Sequence, residues 1–480
     1  MNQDRFRKVI LLLVAVIVVL FVFRQGVMVS MPRSVKDLPR TCFEVLRWTF
    51  ANTPMRDAPE GTSAYVTRAD VILALTTIAW MVWLVVRRRS AQSATVSAIV
   101  VCGLGFWPIV SFAISAASAN WKPPGGLAGV RDVVQHFEYF AVAFALFGSV
   151  LSVGGARKMM LFFLIVGAAA MGVGVYLVMS MARGMPMLPE LTAAIGFEGW
   201  GSHARLAALL APVFFGLAAF DTNLPRRVFW AAATVASLMN CLYGPLLIAA
   251  VVAILVLSMV KSERLFAYVA VVLAALVVCA WSLDFGPAKR ELAKGLWLPA
   301  SDELVVVEDQ ARLKGEASVM AAAAIRENPL AGVGPGVDIA ALTLPRYLRK
   351  GGLTDEERAV LADASTPPPY LLAAARMGIP MVVFFLWVFV LFSRRSLSMM
   401  TMPGSPLQQG LAVGLFGGLL AFALANFWTP MLLHEIGLGF ALILACIWRM
   451  SEPETVTAVA SEESESRPEE PSSDLLIDLH

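Results

Sequence analysis

The chain has 480 residues, 58% of them hydrophobic and 15% charged, with a net charge of only +3. Soluble domains average about 25% charged residues, so this composition excludes a soluble globular protein and defines a polytopic membrane protein. The near-neutral balance points to neither nucleic acid nor any other generally anionic partner. Five cysteines show no CxxC and no paired spacing, and four histidines show no metal-ligand spacing. Neither a disulfide framework, a metal site nor a cofactor is therefore expected.

In chain order, RFRKVILLLVAVIVVLFVFR (residues 5–24) has the basic lead and apolar run of a signal peptide. No small-residue cleavage pattern follows Arg24, so it reads as an uncleaved first span. A hydrocarbon core of about 30 Å needs roughly 20 apolar residues in a helix. Stretches of that kind fall near 9–23, 71–86, 95–117, 134–153, 159–180, 203–220, 228–242, 244–260, 265–283, 369–392, 409–428 and 432–449. The 228–260 region is too long for one span, and Gly244 and Pro245 divide it. With about 12 spans, the clusters Arg5/Arg7/Lys8, Arg87–Arg89, Arg157/Lys158, Arg226/Arg227, Lys261/Arg264, Arg394/Arg395 and Arg449 all fall on one face. The positive-inside rule makes that face the cytoplasm and puts both termini there.

The expected architecture is an all-α polytopic membrane protein. Residues 1–8 form a cytoplasmic N-terminus, 9–283 hold spans 1–9, and 284–368 form a large, partly helical outer loop. Residues 369–449 hold spans 10–12, and the Ser/Glu/Pro-rich 451–480 form a disordered acidic cytoplasmic tail. Within the loop, alanine-rich 309–327 is predicted to be helical and to stop at Asn328, because the residue before Pro329 avoids helical angles. Gly332, Gly334 and Gly336 then form a turn that reads as a hinge. Thr354 and Glu357 make a capping box for a second loop helix. Pro367, Pro368 and Pro369 stiffen the approach to the tenth span.

ENPLAGVGPG (residues 327–336), then LPRY, then YLLAAARMGIPMVVFFL (residues 370–386) carry a resemblance. Together they resemble the O-antigen ligase and polymerase superfamily of bacterial envelopes. Its members show an hPLxGvGpG turn in a long periplasmic loop, followed by HNxYLxxLxxxGxxG at the next span. Pro329, Gly332, Gly334, Gly336, Tyr370 and Gly378 hold the matching positions, and the resemblance spans roughly residues 70–450. It implies a multi-pass protein of the bacterial inner membrane. Its activity would be transfer of a glycan from a polyprenyl diphosphate carrier to a lipid or glycan acceptor, without an obligatory metal, beside other envelope polysaccharide assembly proteins.

Such a reaction needs cations to hold the diphosphate and a group to activate the acceptor hydroxyl. Arg205, Arg312, Arg346 and Arg376 are the candidate diphosphate ligands, and His203 and Asp363 the candidate catalytic groups. Arg376 lies two turns inside a span, where an unpaired charge is costly; Asp363, Glu435 or a ligand phosphate would be its partner. His136 and Glu138 open the fourth span without an assigned role. The chain departs from the family pattern where histidine and asparagine give way to Pro367 and Pro368, and where a middle-span arginine gives way to Tyr243. A relative that binds lipid-linked glycan without turnover, a flippase or transporter, and a scaffold of an export machine are the rival readings. No Walker, GxSxG or HExxH motif occurs.

Overall fold

A computed structural model describes residues 3–22, 26–30, 45, 63–87, 96–118, 126–182, 201–241, 244–282, 304–337, 339, 367–402, 404–429, 431 and 436–452. These residues are almost all helical. Helix α1 (Gln3–Val22) leads to a two-stranded antiparallel ribbon, β1 (Gly26–Ser30) and β2 (Ser63–Thr67), with Gly26 opposite Thr67 and Ser30 opposite Ser63. The ribbon departs from the all-helical expectation. GVMVS and SAYVT are rich in the β-branched and aromatic residues that suit a pleated strand. Helices α2 (Arg68–Arg87), α3 (Val96–Ser118) and α4 (Gly126–His136) follow. A π-helical segment, Phe137–Ala143, continues α4 into α5 (Phe144–Val150). Next come α6 (Val153–Ala182), α7 (Gly201–Phe220), α8 (Leu224–Asn240), α9 (Gly244–Lys261) and α10 (Glu263–Ser282). Helix α11 (Leu304–Glu327) precedes the glycine turn. The chain then forms α12 (Pro369–Met377), α13 (Ile379–Thr401), α14 (Pro406–Ala425) and α15 (Ile436–Met450).

Seven helical stretches among the described residues are long and apolar enough to cross a bilayer. They are Ala98–Ser118, Gly129–Val150, Val153–Ser180, His203–Phe220, Gly244–Lys261, Ile379–Thr401 and Pro406–Ala425. The protein is thus a helical membrane protein. The other stretches expected to span coincide with α1, α2, α8, α10 and the shorter apolar α15. Helices α8 and α9 divide the 228–260 region at its Gly-Pro pair, as the sequence suggests. The stretch 369–392 differs from expectation: it is two helices, parted at Gly378 with φ +83°. The loop helix ends at Glu327, beside the expected stop. The expected helix at Thr354 and the acidic tail lie outside the described residues.

The bundle centres on α7 and α14, which meet through glycines. A Cβ at Gly216 would stand 2.5 Å from the Gly414 Cα, and one at Gly414 would stand 2.6 Å from the Val213 carbonyl oxygen. Lipid tails are as apolar as leucine, so membrane helices associate by close packing, and small residues let the backbones touch. Helix length sets the two ends of the bundle. At 1.5 Å per residue, Arg395 of α13 lies about 24 Å from Ile379. At the Arg395 end, the Arg7 guanidinium donates twice to the Val150 carbonyl, at 3.2 and 3.1 Å. A cation there satisfies an orphan carbonyl and complements the negative end of the helix dipole. The glycine turn lies at the opposite end.

Candidate functional site

The turn after α11 is held by backbone bonds to the break between α12 and α13. Gly332 N–H donates to the Asn328 carbonyl at 2.8 Å and closes the turn. Val333 N–H donates to the Ala375 carbonyl and Gly334 N–H to the Arg376 carbonyl, each at 2.9 Å. In return, Ile379 N–H donates to the Pro329 carbonyl at 2.8 Å. The two carbonyls used are among those that the last turn of α12 leaves without intrahelical partners. Gly332 takes φ +67°, and a Cβ there would stand 2.5 Å from the Arg376 carbonyl. A Cβ at Gly378 would strike the Leu330 carbonyl. Only glycine satisfies both the backbone angle and the approach at these two positions. The turn is therefore a clasp, not the hinge that its glycines suggest. Three of its N–H groups, those of Gly332, Val333 and Gly334, are spent on carbonyls.

Helix α3 supports the clasp from the side. The Ser111 hydroxyl donates to the Ala331 carbonyl at 2.6 Å, and the Trp107 indole N–H donates to the Met377 carbonyl at 2.7 Å. The Ser115 hydroxyl lies 3.5 Å from the Gly332 carbonyl. Tyr370 donates its hydroxyl to the Ala423 carbonyl of α14 at 2.8 Å and packs on Phe385 and Phe427. It anchors α12 to the bundle and is not free for chemistry.

Arg376 projects from this joint. Its Nε donates to the Val337 carbonyl at 2.8 Å, and its Nη1 lies 3.6 Å from Asp132 Oδ2. The partner among the described residues is thus a carboxylate of α4; Asp363 and Glu435 lie outside them. Nη2 makes no hydrogen bond among the described residues, and the side chain is 18% exposed. One turn along α4 from Asp132, the His136 ring is 3% exposed, and its Nδ1 lies 2.7 Å from the Asp132 carbonyl. Asp132 thus links Arg376, through its carboxylate, to the helix turn that carries His136.

Of the remaining candidates, His203 and Arg205 lie on α7. His203 is buried on α7, where its Nε2 meets Asn240 Oδ1 at 3.0 Å. Asn240 Nδ2 donates onward to the Met171 and Ala236 carbonyls, at 3.0 and 2.7 Å. This polar knot ties α6, α7 and α8 together. Arg205 is partly buried on the same helix. Helix α7 packs on α14, α8, α9 and α6, and α12 on α13, α11 and α3. Arg312 lies on α11 with its side chain outside the described residues; Arg346 and Asp363 lie outside them altogether. Asp132 went unnoticed in the sequence. Its signal is the Asp132/His136 pair, four residues apart at the opening of a span, where i and i+4 share a helix face.

These features define a helical membrane protein with an Arg376–Asp132 pair at one end of its bundle. The chain matches no protein-family model, and no curated protein matches it.

Proposed function

We propose that the chain is a transferase of the O-antigen ligase and polymerase type. It moves a glycan from a polyprenyl diphosphate to an acceptor at the outer face of a bacterial inner membrane. In this reading it crosses the membrane twelve times, both termini are cytoplasmic, and residues 284–368 lie in the periplasm. The arginines at the end opposite the clasp, Arg7, Arg157, Arg226 and Arg395 among them, support that orientation through the positive-inside rule.

The observation that carries the reading is the bonding of two distant motifs. ENPLAGVGPG and AARMGIP are the stretches on which the family likeness rests, and they hydrogen-bond to one another through Val333–Ala375, Gly334–Arg376 and Ile379–Pro329. Among the described residues, the arginine at their joint keeps an Nη2 edge without a hydrogen bond, beside a buried carboxylate. Arginine suits this task because its planar fork presents several donors to phosphate oxygens. An ionisable residue at membrane depth is a functional candidate by default, with its partner named; here the partner is Asp132.

A second reading has its own observation. Pro367 and Pro368 stand where the family has histidine and asparagine, which favours a relative that holds carrier-linked glycan without turnover. One experiment separates the two. Deletion of the protein in its native host should leave carrier-linked glycan accumulated and surface glycan depleted. An unchanged carrier pool with unchanged surface glycan would reject the transferase.

A further inference from the structure

We propose that His136, one helical turn from the Asp132 partner of Arg376, is the general base that deprotonates the acceptor hydroxyl, while the Arg376 guanidinium holds the diphosphate. The proposal rests on the transferase reading and assigns that reaction a base that Pro367 cannot provide.

The argument starts from the tautomer. His136 Nδ1 lies 2.7 Å from the Asp132 backbone carbonyl, which can only accept a hydrogen bond. Nδ1 therefore carries the proton in the neutral ring, and Nε2 carries the lone pair. Among the described residues Nε2 makes no hydrogen bond, although the residue is 3% exposed. A buried ring with one nitrogen fixed by a carbonyl and the other unengaged is oriented to take a proton. Phe140 lies beside the ring, with centroids 6.2 Å apart, so an apolar wall closes one side.

The neighbours are suited to different roles. Asp132 Oδ2 makes no hydrogen bond and faces the Arg376 guanidinium at 3.6 Å, so it balances and orients the cation. Glu138 sits in the π-helical segment, with Asp70 of α2 as its electrostatic neighbour. His203 already shares its Nε2 with Asn240. Among the described residues, His136 is thus the imidazole whose Nε2 is unengaged and whose helix turn also carries the partner of Arg376. The π-helical segment begins at the next residue, Phe137, and such segments recur at functional sites.

The reaction balances with these groups. The acceptor oxygen bonds to the anomeric carbon of the donor sugar while its proton passes to His136 Nε2. The bond between that carbon and the diphosphate oxygen breaks, and its electron pair leaves on the polyprenyl diphosphate, which Arg376 Nη2 hydrogen-bonds. The imidazolium then returns its proton to water.

The test uses His136→Asn in the full-length protein reconstituted in liposomes. The asparagine amide nitrogen stands near the position of Nδ1 and still donates to the Asp132 carbonyl, but no base remains. Two quantities are measured: affinity for undecaprenyl diphosphate, and release of that diphosphate from carrier-linked glycan in an envelope extract of the deletion strain, which supplies both donor and acceptor. Unchanged affinity with turnover lowered about 100-fold or more, the effect of a lost general base, supports the proposal. Turnover within about threefold of wild type overturns it while leaving the transferase reading intact. Absence of turnover in the wild-type protein overturns the transferase reading itself and the proposal with it. If the asparagine variant does not fold, His136→Gln is judged by the same two quantities. If both variants lose binding together with turnover, His136 is a structural residue and the proposal falls.

Discussion

Gly332 and Arg376 carry opposite kinds of constraint at the same joint. Gly332 is needed for what it lacks: a Cβ there would meet the Arg376 carbonyl at 2.5 Å, with φ at +67°. Left-handed backbone costs an L-residue about 1–2 kcal/mol before any contact is counted. Gly332→Ala should therefore lower the apparent melting temperature in detergent, measured by differential scanning fluorimetry. An unchanged melting temperature would mean that the clasp is loose. Arg376 is needed for what it reaches. Its Nε bond to the Val337 carbonyl spans 39 positions of sequence. Ser111→Ala offers a milder probe, since it removes a single donor from the Ala331 carbonyl. A buried acceptor left without its donor costs about 1–3 kcal/mol, so that variant should destabilise without altering diphosphate affinity.

At this scale the sequence is informative about residue type and silent about partners. The three glycines announce a turn, because few other residues accept positive φ. That the turn bonds to Ala375 and Arg376, more than forty positions later, depends on tertiary packing that no local pattern encodes. Arg376 stands out in sequence as a charge inside an apolar run. Its carboxylate could not be read there, because Asp132 stands at the opening of the fourth span and Arg376 in the tenth of the expected layout.

Among the helices, α7 and α14 form the tightest seam and α6, α7 and α8 the most polar one. Gly414→Leu should force the first pair apart, because the added side chain would enter the Val213 backbone. Little folded, monodisperse protein should survive size-exclusion chromatography. At the second seam, Asn240→Leu removes the bond to His203 and the two donations to Met171 and Ala236. Buried polar contacts between membrane helices average about 0.6 kcal/mol, with a maximum near 1.7, so a moderate loss of thermal stability is expected rather than unfolding. Loss of undecaprenyl diphosphate binding in Asn240→Leu at normal stability would move the functional centre to His203 and Arg205.

The elements themselves were largely legible. Apolar runs of the right length mark the helices, and Gly244 with Pro245 marks the α8/α9 division. The break at Gly378 was hidden because apolar residues continue on both sides of it; its signal is the Gly-Ile-Pro triplet. The β1/β2 ribbon joins residues 26–30 to 63–67 across a long intervening segment, which a span count by hydropathy does not detect. The π-helical segment has no sequence signature of its own. It sits where α4 meets α3 at Gly105, a position whose Cβ would stand 2.8 Å from the Ala141 backbone nitrogen.

For the whole molecule, the proposed orientation rests on the charge distribution and the proposed chemistry on the clasp end. Cysteine-accessibility labelling tests the orientation: single cysteines introduced near Arg326 should react with impermeant maleimide from outside the cell, and those near Arg226 should not. The reverse pattern would place the Arg376–Asp132 pair in the cytoplasm, away from a periplasmic acceptor. The central claim is that the Arg376 guanidinium holds a diphosphate at the clasp. The measurement that addresses it most directly is the affinity of the purified full-length protein for undecaprenyl diphosphate, compared between wild type and Arg376→Gln at matched thermal stability. A charge-assisted hydrogen bond is worth about 1.5–3 kcal/mol, so the variant should bind roughly tenfold to a hundredfold more weakly. Equal affinity in the two proteins, or no binding by the wild type, would contradict the account.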